Sequence, residues 1–366
     1  MKNNIRKRGT YFKTLCYFTS SLSLGSKILV ASGLSAYDDS WDDHKNRNIR
    51  SEILYVTLRN KQVSSIFSTL AEVCPAQGNK GFGATWNGKH IVGVGKTVFE
   101  FNQKLGQWKE FVNTSKRREY SSCCTVGNSG IIVAGGWEES GKSSLEVLNS
   151  QNKPMKSRIE KIKIPFSLKK KTDDLQKFSW KKCPSKIPVS LNDGTPAQIW
   201  GHSITFVRNN TFIIIGGRAL SQRPYRRETT RCVIQGEISE ESMDITWKKL
   251  RSMLNDRFGH FSFKLKNFVY VAGGAEYGTE DILCCEVYDI LNDSWSISPH
   301  NLPYHLYKAS VIVNEDETYA LIIGGLMRTA EASENVIIFT EEHGFEVFKD
   351  FSLHHKRYGH VSLSLK

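Results

Sequence analysis

The chain has 366 residues, a formal net charge of +13 and 39% hydrophobic residues. That balance suits a water-soluble globular fold. No apolar run approaches the ~18 residues that a membrane helix needs, so no membrane partner is expected. Eight cysteines without a single Cys-x-x-Cys exclude zinc-site spacing and read as reduced, mostly buried thiols of an intracellular protein.

The first 37 residues contain no Asp or Glu but several Lys, Arg and Ser. Residues 1–17 read as a basic N-terminal segment. The composition is also that of a mitochondrial presequence, but strand-like sequence begins near residue 18. Ile28-Leu29-Val30-Ala31-Ser32-Gly33 is a buried-strand run that stops at a glycine, and Ile53-Leu54-Tyr55-Val56-Thr57-Leu58 reads as the next strand. Between them, Asp38-Asp39-Ser40-Trp41-Asp42-Asp43 lacks the spacing of a calcium loop and reads as a solvated loop. A second incomplete unit, Ile91-Val92-Gly93-Val94-Gly95, is followed by Phe101 and Trp108.

From there the pattern becomes regular. Four apolar runs end in two glycines: Gly135-Gly136, Gly216-Gly217, Gly273-Gly274 and Gly324-Gly325. β-branched and aromatic residues make a buried strand, and the glycines permit a backbone turn where a Cβ would clash. An aromatic-Gly-His triplet recurs as Trp200-Gly201-His202, Phe258-Gly259-His260 and Tyr358-Gly359-His360, with Arg257 and Arg357 ahead of the last two. Tyr288 and Trp295 repeat the seven-residue interval of Phe101 and Trp108, and Trp180 and Trp247 also close units. Each unit therefore reads as four strands, with the diglycine after the second and a tryptophan in the fourth. The repeat places the three histidines around the structure, where hydrogen bonding between strands accounts for them better than metal binding. The adjacent pairs Cys123-Cys124 and Cys284-Cys285 should each send one thiol to either face of a strand.

This pattern resembles the kelch repeat, and the resemblance covers most of the chain. It implies an all-β fold, a six-bladed kelch β-propeller over residues 18–366. The last segment, Arg357 to Leu365, reads as the first strand of a blade. It is expected to join the N-terminal blade and close the ring, since an unpaired edge is an aggregation liability. Residues 18–24 are the alternative occupant of that place.

The intervals between successive diglycines are 81, 57 and 51 residues. The longest holds a basic insertion at 150–190, in which residues 151–190 carry twelve Lys or Arg and three acids, a net +9. Lys161, Lys163, Lys169, Lys170 and Lys171 are candidates for contact with a DNA backbone, because lysines on a loop neutralise phosphates without reading sequence. Arg226 and Arg227, in a cluster that follows Gly217, and Lys116-Arg117-Arg118 are further candidates. If these loops share a face, the fold has a basic edge. A solvated loop explains a lysine run equally simply.

No phosphate-binding glycine loop, Gly-x-Ser-x-Gly elbow or His-Glu-x-x-His is present, so neither catalysis nor a cofactor or metal is expected. Within the kelch class, the stretch Pro196 to Ile204, the motif Ile215-Gly216-Gly217-Arg218 with its basic tail to Arg231, Gly81 to Phe101 and Ala309 to Gly325 resemble the propeller accessory subunits of RAG-type recombinases. That likeness implies a non-catalytic nuclear partner of a DDE-type recombinase or transposase subunit, docked partly through Arg218 and gripping DNA without sequence preference. Two departures stand against it: no zinc-binding finger follows the repeats, and the N-terminal 72 residues would have to supply a blade that the relatives carry at the other end. The alternative is a protein-interaction propeller, such as the substrate receptor of a ubiquitin ligase. A propeller assisting an RNA-modifying enzyme is a third reading of the basic charge.

Overall fold

The computed structural model describes residues 26–35, 49–59, 62–76, 81–127, 130–138, 143–150, 178–191, 194–222, 225–239, 241–276 and 282–365. Among them there is no helix. Strands β1 (Ser26–Ala31), β2 (Arg50–Arg59) and β3 (Gln62–Val73) belong to a first sheet. A second contains β4 (Phe82–Trp86), β5 (Lys89–Val94), β6 (Thr97–Asn102) and β7 (Gln107–Glu110). A third contains β8 (Ser122–Val126), β9 (Gly130–Ala134), β10 (Leu145–Ser150) and β11 (Phe178–Lys182). The next strands are β12 (Gln198–Trp200), β13 (Ser203–Arg208), β14 (Thr211–Ile215), β15 (Arg218–Gln222), β16 (Tyr225–Thr229), β17 (Val233–Ile238) and β18 (Ile245–Lys249). Of these, β13-β14-β17-β18 is the fourth sheet, and β12-β15-β16 is a small three-stranded sheet. The fifth holds β19 (Phe261–Leu265), β20 (Phe268–Ala272), β21 (Glu286–Asp289) and β22 (Ser294–Ile297). The sixth holds β23 (Ser310–Val313), β24 (Tyr319–Ile323), β25 (Asn335–Thr340) and β26 (Gly344–Ser352). The last strand, β27 (Val361–Leu365), returns to pair antiparallel with β1, with Ser364 opposite Ile28.

Each of the six four-stranded sheets is antiparallel, an arrangement consistent with a propeller. Among the second strands, β9 and β24 are buried along their whole length, and β14 and β20 along all but their first residue. Each fully buried Val, Ile or Leu contributes about 1.5–3 kcal/mol, so these runs are the main source of cohesion. The four tryptophans that mark the repeat lie in the fourth strands. Tyr288 stands opposite Trp295 and Phe101 opposite Trp108, with ring centroids 5.0 Å apart in both pairs. Cys123 packs toward the second sheet and Cys124 toward the fourth, the split that strand alternation requires.

The first strands of the sheets lie side by side: β27 on β4, β4 on β8, β8 on β13, β13 on β19, β19 on β23 and β23 on β27. They run in the same direction. The Cys123 thiol donates to the Gly83 carbonyl at 2.8 Å and, two residues on, Thr125 donates to the Thr85 carbonyl at 2.7 Å. Ser203 meets His260 at 2.9 Å and Thr205 meets Ser262 at 2.6 Å in the same sense. The diglycine ends of these sheets therefore lie together.

The glycines make the joint between neighbours. At Gly217 the amide donates to the Arg257 carbonyl of the fifth sheet at 2.8 Å. A Cβ on Gly216 would stand 2.8 Å from the His260 ring, and one on Gly217 would stand 2.9 Å from His202. Both have positive φ, 56° and 104°. The diglycine and the histidine triplet are thus two halves of one contact. His260 and His360 bridge sheets as expected, the latter meeting Ser310 at 2.7 Å.

Behind the joint lies a buried ion pair. Arg257 donates to Glu286 at 2.6 Å, Arg357 to Glu52 at 2.7 Å, and Arg118 to Glu146 at 3.0 Å, with all six side chains fully buried. In the fourth sheet the corresponding residues are Ile199 and Ile234, and in the sixth Leu306 and Ile337, all buried in apolar clusters.

Candidate functional site

The diglycine end carries an aromatic assembly beside the first strands. Two places before β8, β13, β19, β23 and β27 the backbone is left-handed, at Tyr120, Gly201, Gly259, Lys308 and Gly359, with φ between 52° and 65°. That geometry aims each amide at the next sheet. Gly201 donates to Tyr120 at 3.1 Å, Gly259 to Gly201 at 2.7 Å, Lys308 to Gly259 at 2.7 Å and Gly359 to Lys308 at 2.8 Å. The aromatic rings follow the same course. Tyr120 and Trp200 lie 5.4 Å apart, Trp200 and Phe258 6.0 Å, Phe258 and Tyr307 5.5 Å. Tyr358 packs beyond them with Leu34 and Leu326.

Two cations sit on these rings. The Arg218 guanidinium carbon lies 4.1 Å from the Phe258 centroid and 5.5 Å from that of Trp200. The Lys308 ammonium lies 4.1 Å from the Tyr120 centroid and 5.1 Å from that of Tyr307. Such contacts contribute about 0.5–2 kcal/mol each. Arg218 is held there by pairing opposite Trp200 in the three-stranded sheet. The hairpin it begins, β15–β16, presents Tyr225, Arg226 and Arg227 to solvent, and Tyr225 is 66% exposed.

The basic residues singled out by sequence fall in three segments of the chain. Lys161, Lys163, Lys169, Lys170 and Lys171 lie outside the described residues. Their insertion is flanked by Ser150 and Phe178, paired with each other where β10 ends and β11 begins. That is the end of the sheet opposite the diglycine. The Arg226–Arg227 hairpin, between β14 and β17, and Lys116–Arg118, ahead of β8, are at the diglycine end. The segments that looked able to form one basic edge are thus anchored at opposite ends.

Arg118 is corrected more sharply. Its guanidinium is fully buried and pairs with Glu138 at 2.7 Å as well as Glu146, so it cannot meet a phosphate. Lys116 binds Glu138 at 2.6 Å, and Arg117, 73% exposed, lies 3.0 Å from Glu119. Burial raises the Glu138 pKa, but hydrogen bonds from Lys116 and Ser144 and the charges of Arg118 and Lys116 outweigh it and hold the carboxyl below its ordinary value.

No group of three or more His, Cys, Asp or Glu able to hold a metal occurs among the described residues. Burial pushes the Cys74, Cys123 and Cys285 thiols up to about 12, which keeps them protonated and unreactive. The sequence reading missed the series of packed aromatics and the β12–β15–β16 sheet. The aromatic before each glycine was the available signal, but Tyr120 and Tyr307 are not followed by Gly-His.

No family model matches the chain. A stretch of 123 residues, 34% of the chain, is 29% identical to Kelch-like protein 30 of Homo sapiens and covers 20% of that protein. With the antiparallel four-stranded sheets, this weak homology points to a kelch-repeat β-propeller. The chain matches about a fifth of that relative's length. The finer likeness to recombinase accessory subunits finds no support in these comparisons.

Proposed function

We propose that the chain is a protein-interaction propeller, with the six sheets as blades of one ring closed by β27 and the diglycine face as its docking surface. The observation that carries this is the assembly of Tyr120, Trp200, Phe258 and Tyr307 with Arg218 and Lys308 on that face. Aromatic and arginine side chains are the residues that most often anchor an interface. The similarity to Kelch-like protein 30 supports the class. The role is non-catalytic, that of an adaptor or receptor of the ubiquitin-ligase kind. The test is a partner identified by crosslinking and then titrated in purified form. Tyr225→Ala with Arg227→Glu should weaken it at least tenfold, while Lys104→Glu with Leu291→Ser, at the opposite end, should not. The reverse pattern would place docking elsewhere.

A second reading is an accessory subunit of a RAG-like recombinase or transposase, nuclear and in contact with DNA. One observation favours it: +9 of the +13 charge falls within 151–190. Neutralising Lys169, Lys170 and Lys171 should then flatten the salt dependence of DNA affinity. An unchanged slope counts against that loop.

A further inference from the structure

The fourth strand of each sheet has an open outer edge, whose backbone N–H and C=O groups can template another strand. Five of the six are protected by charge or by shortness. β7, β11 and β18 are four or five residues long and carry Lys109 with Glu110, Lys181 with Lys182, and Lys248 with Lys249. β22 has only four residues, and the nine of β26 include Glu346, Lys349 and Asp350. β3 differs on both counts. It has twelve residues, and none is Lys, Arg or Pro. Its one charged residue, Glu72, turns to the second sheet, where it accepts the Trp108 amide at 2.9 Å. Thr57 pairs with Ser65 but Leu58 with Val63, so a bulge at Ser64 bounds the regular run, which extends from Ser65 to Leu70.

Two apolar side chains of this run are exposed, Phe67 at 53% and Leu70 at 40%. Phe67 is the open end of a stack. It stands opposite Tyr55, which stands opposite Lys27. The Phe67 and Tyr55 rings are 3° from parallel with centroids 4.7 Å apart, and the Lys27 ammonium lies 5.5 Å from the Tyr55 centroid. The ring interval equals the separation of paired strands, about 4.7–4.9 Å. A further strand on this edge would therefore bring its own side chain into the stack.

The occupant that fits is a second β3. A twofold axis normal to the sheet at Phe67 sets each Phe67 opposite its mate, Ser65 opposite Thr69 and Ile66 opposite Ser68. Aromatic pairs and Ser–Thr pairs are favourable cross-strand neighbours. The run holds no charged residue, so no like charges meet. Pairing two copies of β11 or of β18 would instead gather four lysines on one short edge. Any extended peptide matches the backbone groups, but a copy of this chain supplies the next ring by symmetry. We propose that the chain self-associates as a twofold dimer through antiparallel pairing of β3 with β3, centred on Phe67. The rings then continue across the axis from Tyr55 and Phe67 of one protomer to Phe67 and Tyr55 of the other. The contact is small, so association is weak and concentration-dependent. The edge of β3 is separate from the aromatic docking face, and failure of the dimer would leave the docking reading untouched.

The test is sedimentation velocity of the full chain over about 1–200 μM, the range of a weak interface. The wild-type chain should pass from monomer toward twice the monomer mass. Phe67→Lys sets two like charges across the axis and should weaken the dimer at least tenfold. Leu105→Lys, on an exposed turn of the second sheet, should change it less than twofold. Disulfide trapping reads the register and does not depend on Phe67→Lys folding well. Under mild oxidation Phe67→Cys should link to itself, because opposed Cα atoms lie about 4.5–5.5 Å apart. Thr69→Cys should link to Ser65→Cys in a mixture but not to itself, with the wild-type chain setting the background from native thiols. A chain that stays monomeric throughout overturns the proposal, whether or not an unrelated Thr-Val peptide binds the edge. So does a dimer indifferent to Phe67→Lys, or equal self-linking at Ser65, Phe67 and Thr69, which would mark an edge without a fixed register.

Discussion

The fifth and sixth sheets solve the same packing problem with different chemistry. In the fifth, Arg257 and Glu286 form a buried ion pair at 2.6 Å. In the sixth, Leu306 and Ile337 occupy the corresponding positions and are equally buried. The third sheet and the one closed by β27 follow the fifth, and the fourth follows the sixth with Ile199 and Ile234. Both positions change together in each case. The position demands complementarity rather than charge. The ionic version also brings directional bonds: Arg257 reaches the Gly273 carbonyl at 3.2 Å, and Glu286 accepts the Leu254 amide at 2.6 Å.

The largest expected effect breaks one half of the pair. Arg257→Leu leaves Glu286 buried without its cation and should cost about 3–5 kcal/mol in urea unfolding. The double substitution Arg257→Leu with Glu286→Ile copies the sixth sheet and should recover most of that loss, since replacing a buried pair with apolar residues is often neutral or stabilising. If the double variant is as unstable as the single one, the two kinds of sheet are not interchangeable and the directional bonds matter more than burial.

The same comparison extends to acid. His202, in a sheet without the arginine, is held at about 4, against 6.5 when free, because burial disfavours the charged ring. His260 and His360 are lowered too, first by burial and then by the charges of Arg257 and Arg357. Unfolded chains take up these protons near pH 6.5 while the folded chain refuses them, so stability is fully present above that pH and falls as pH drops toward the folded values. For His202 alone, a drop from 6.5 to about 4 corresponds to a loss of about 3 kcal/mol below pH 4. Urea midpoints measured from pH 8 to pH 4.5 should fall, chiefly below pH 6.5. In the Arg257→Leu, Glu286→Ile background the fall should be shallower, because one of the repelling cations is gone. A flat profile would mean that the histidines reach solvent.

Much of this scaffold was legible because its signals are local. A β-branched run, two glycines and a tryptophan seven residues after an aromatic all lie within one unit. The segment from Arg357 to Leu365 was readable as a first strand for the same reason, and it pairs with β1. What was not legible depends on contacts between units. Glu146 and Glu286 lie 28 and 29 residues beyond their arginines, but Glu52 lies 305 residues before Arg357, so no spacing identifies the three pairs as one feature. Arg118 looked like part of a surface cluster because composition cannot reveal burial. The charged Tyr225–Thr229 segment looked like loop, yet it pairs with β15 over five residues. Lys308 was passed over because it stands where other units have glycine.

That exchange of lysine for glycine allows the finest test of how alike the units are. Gly201 and Gly259 occupy corresponding positions with φ of 63° and 65°, and Lys308 tolerates the same conformation at 52°. Their surroundings differ. A Cβ on Gly201 would have no neighbour closer than 3.7 Å, whereas one on Gly259 would fall 1.9 Å from the Tyr307 ring. Gly201→Ala should therefore cost only the left-handed backbone penalty, about 1 kcal/mol. Gly259→Ala must also displace Tyr307 and should cost about 2–3 kcal/mol. The displaced ring is one that Lys308 lies over, so Gly259→Ala should also weaken a partner docked at the aromatic face, while Gly201→Ala leaves binding near wild type. Equal costs at the two glycines would mean that the rings move freely, and a face built from mobile rings would not present one fixed surface to a partner.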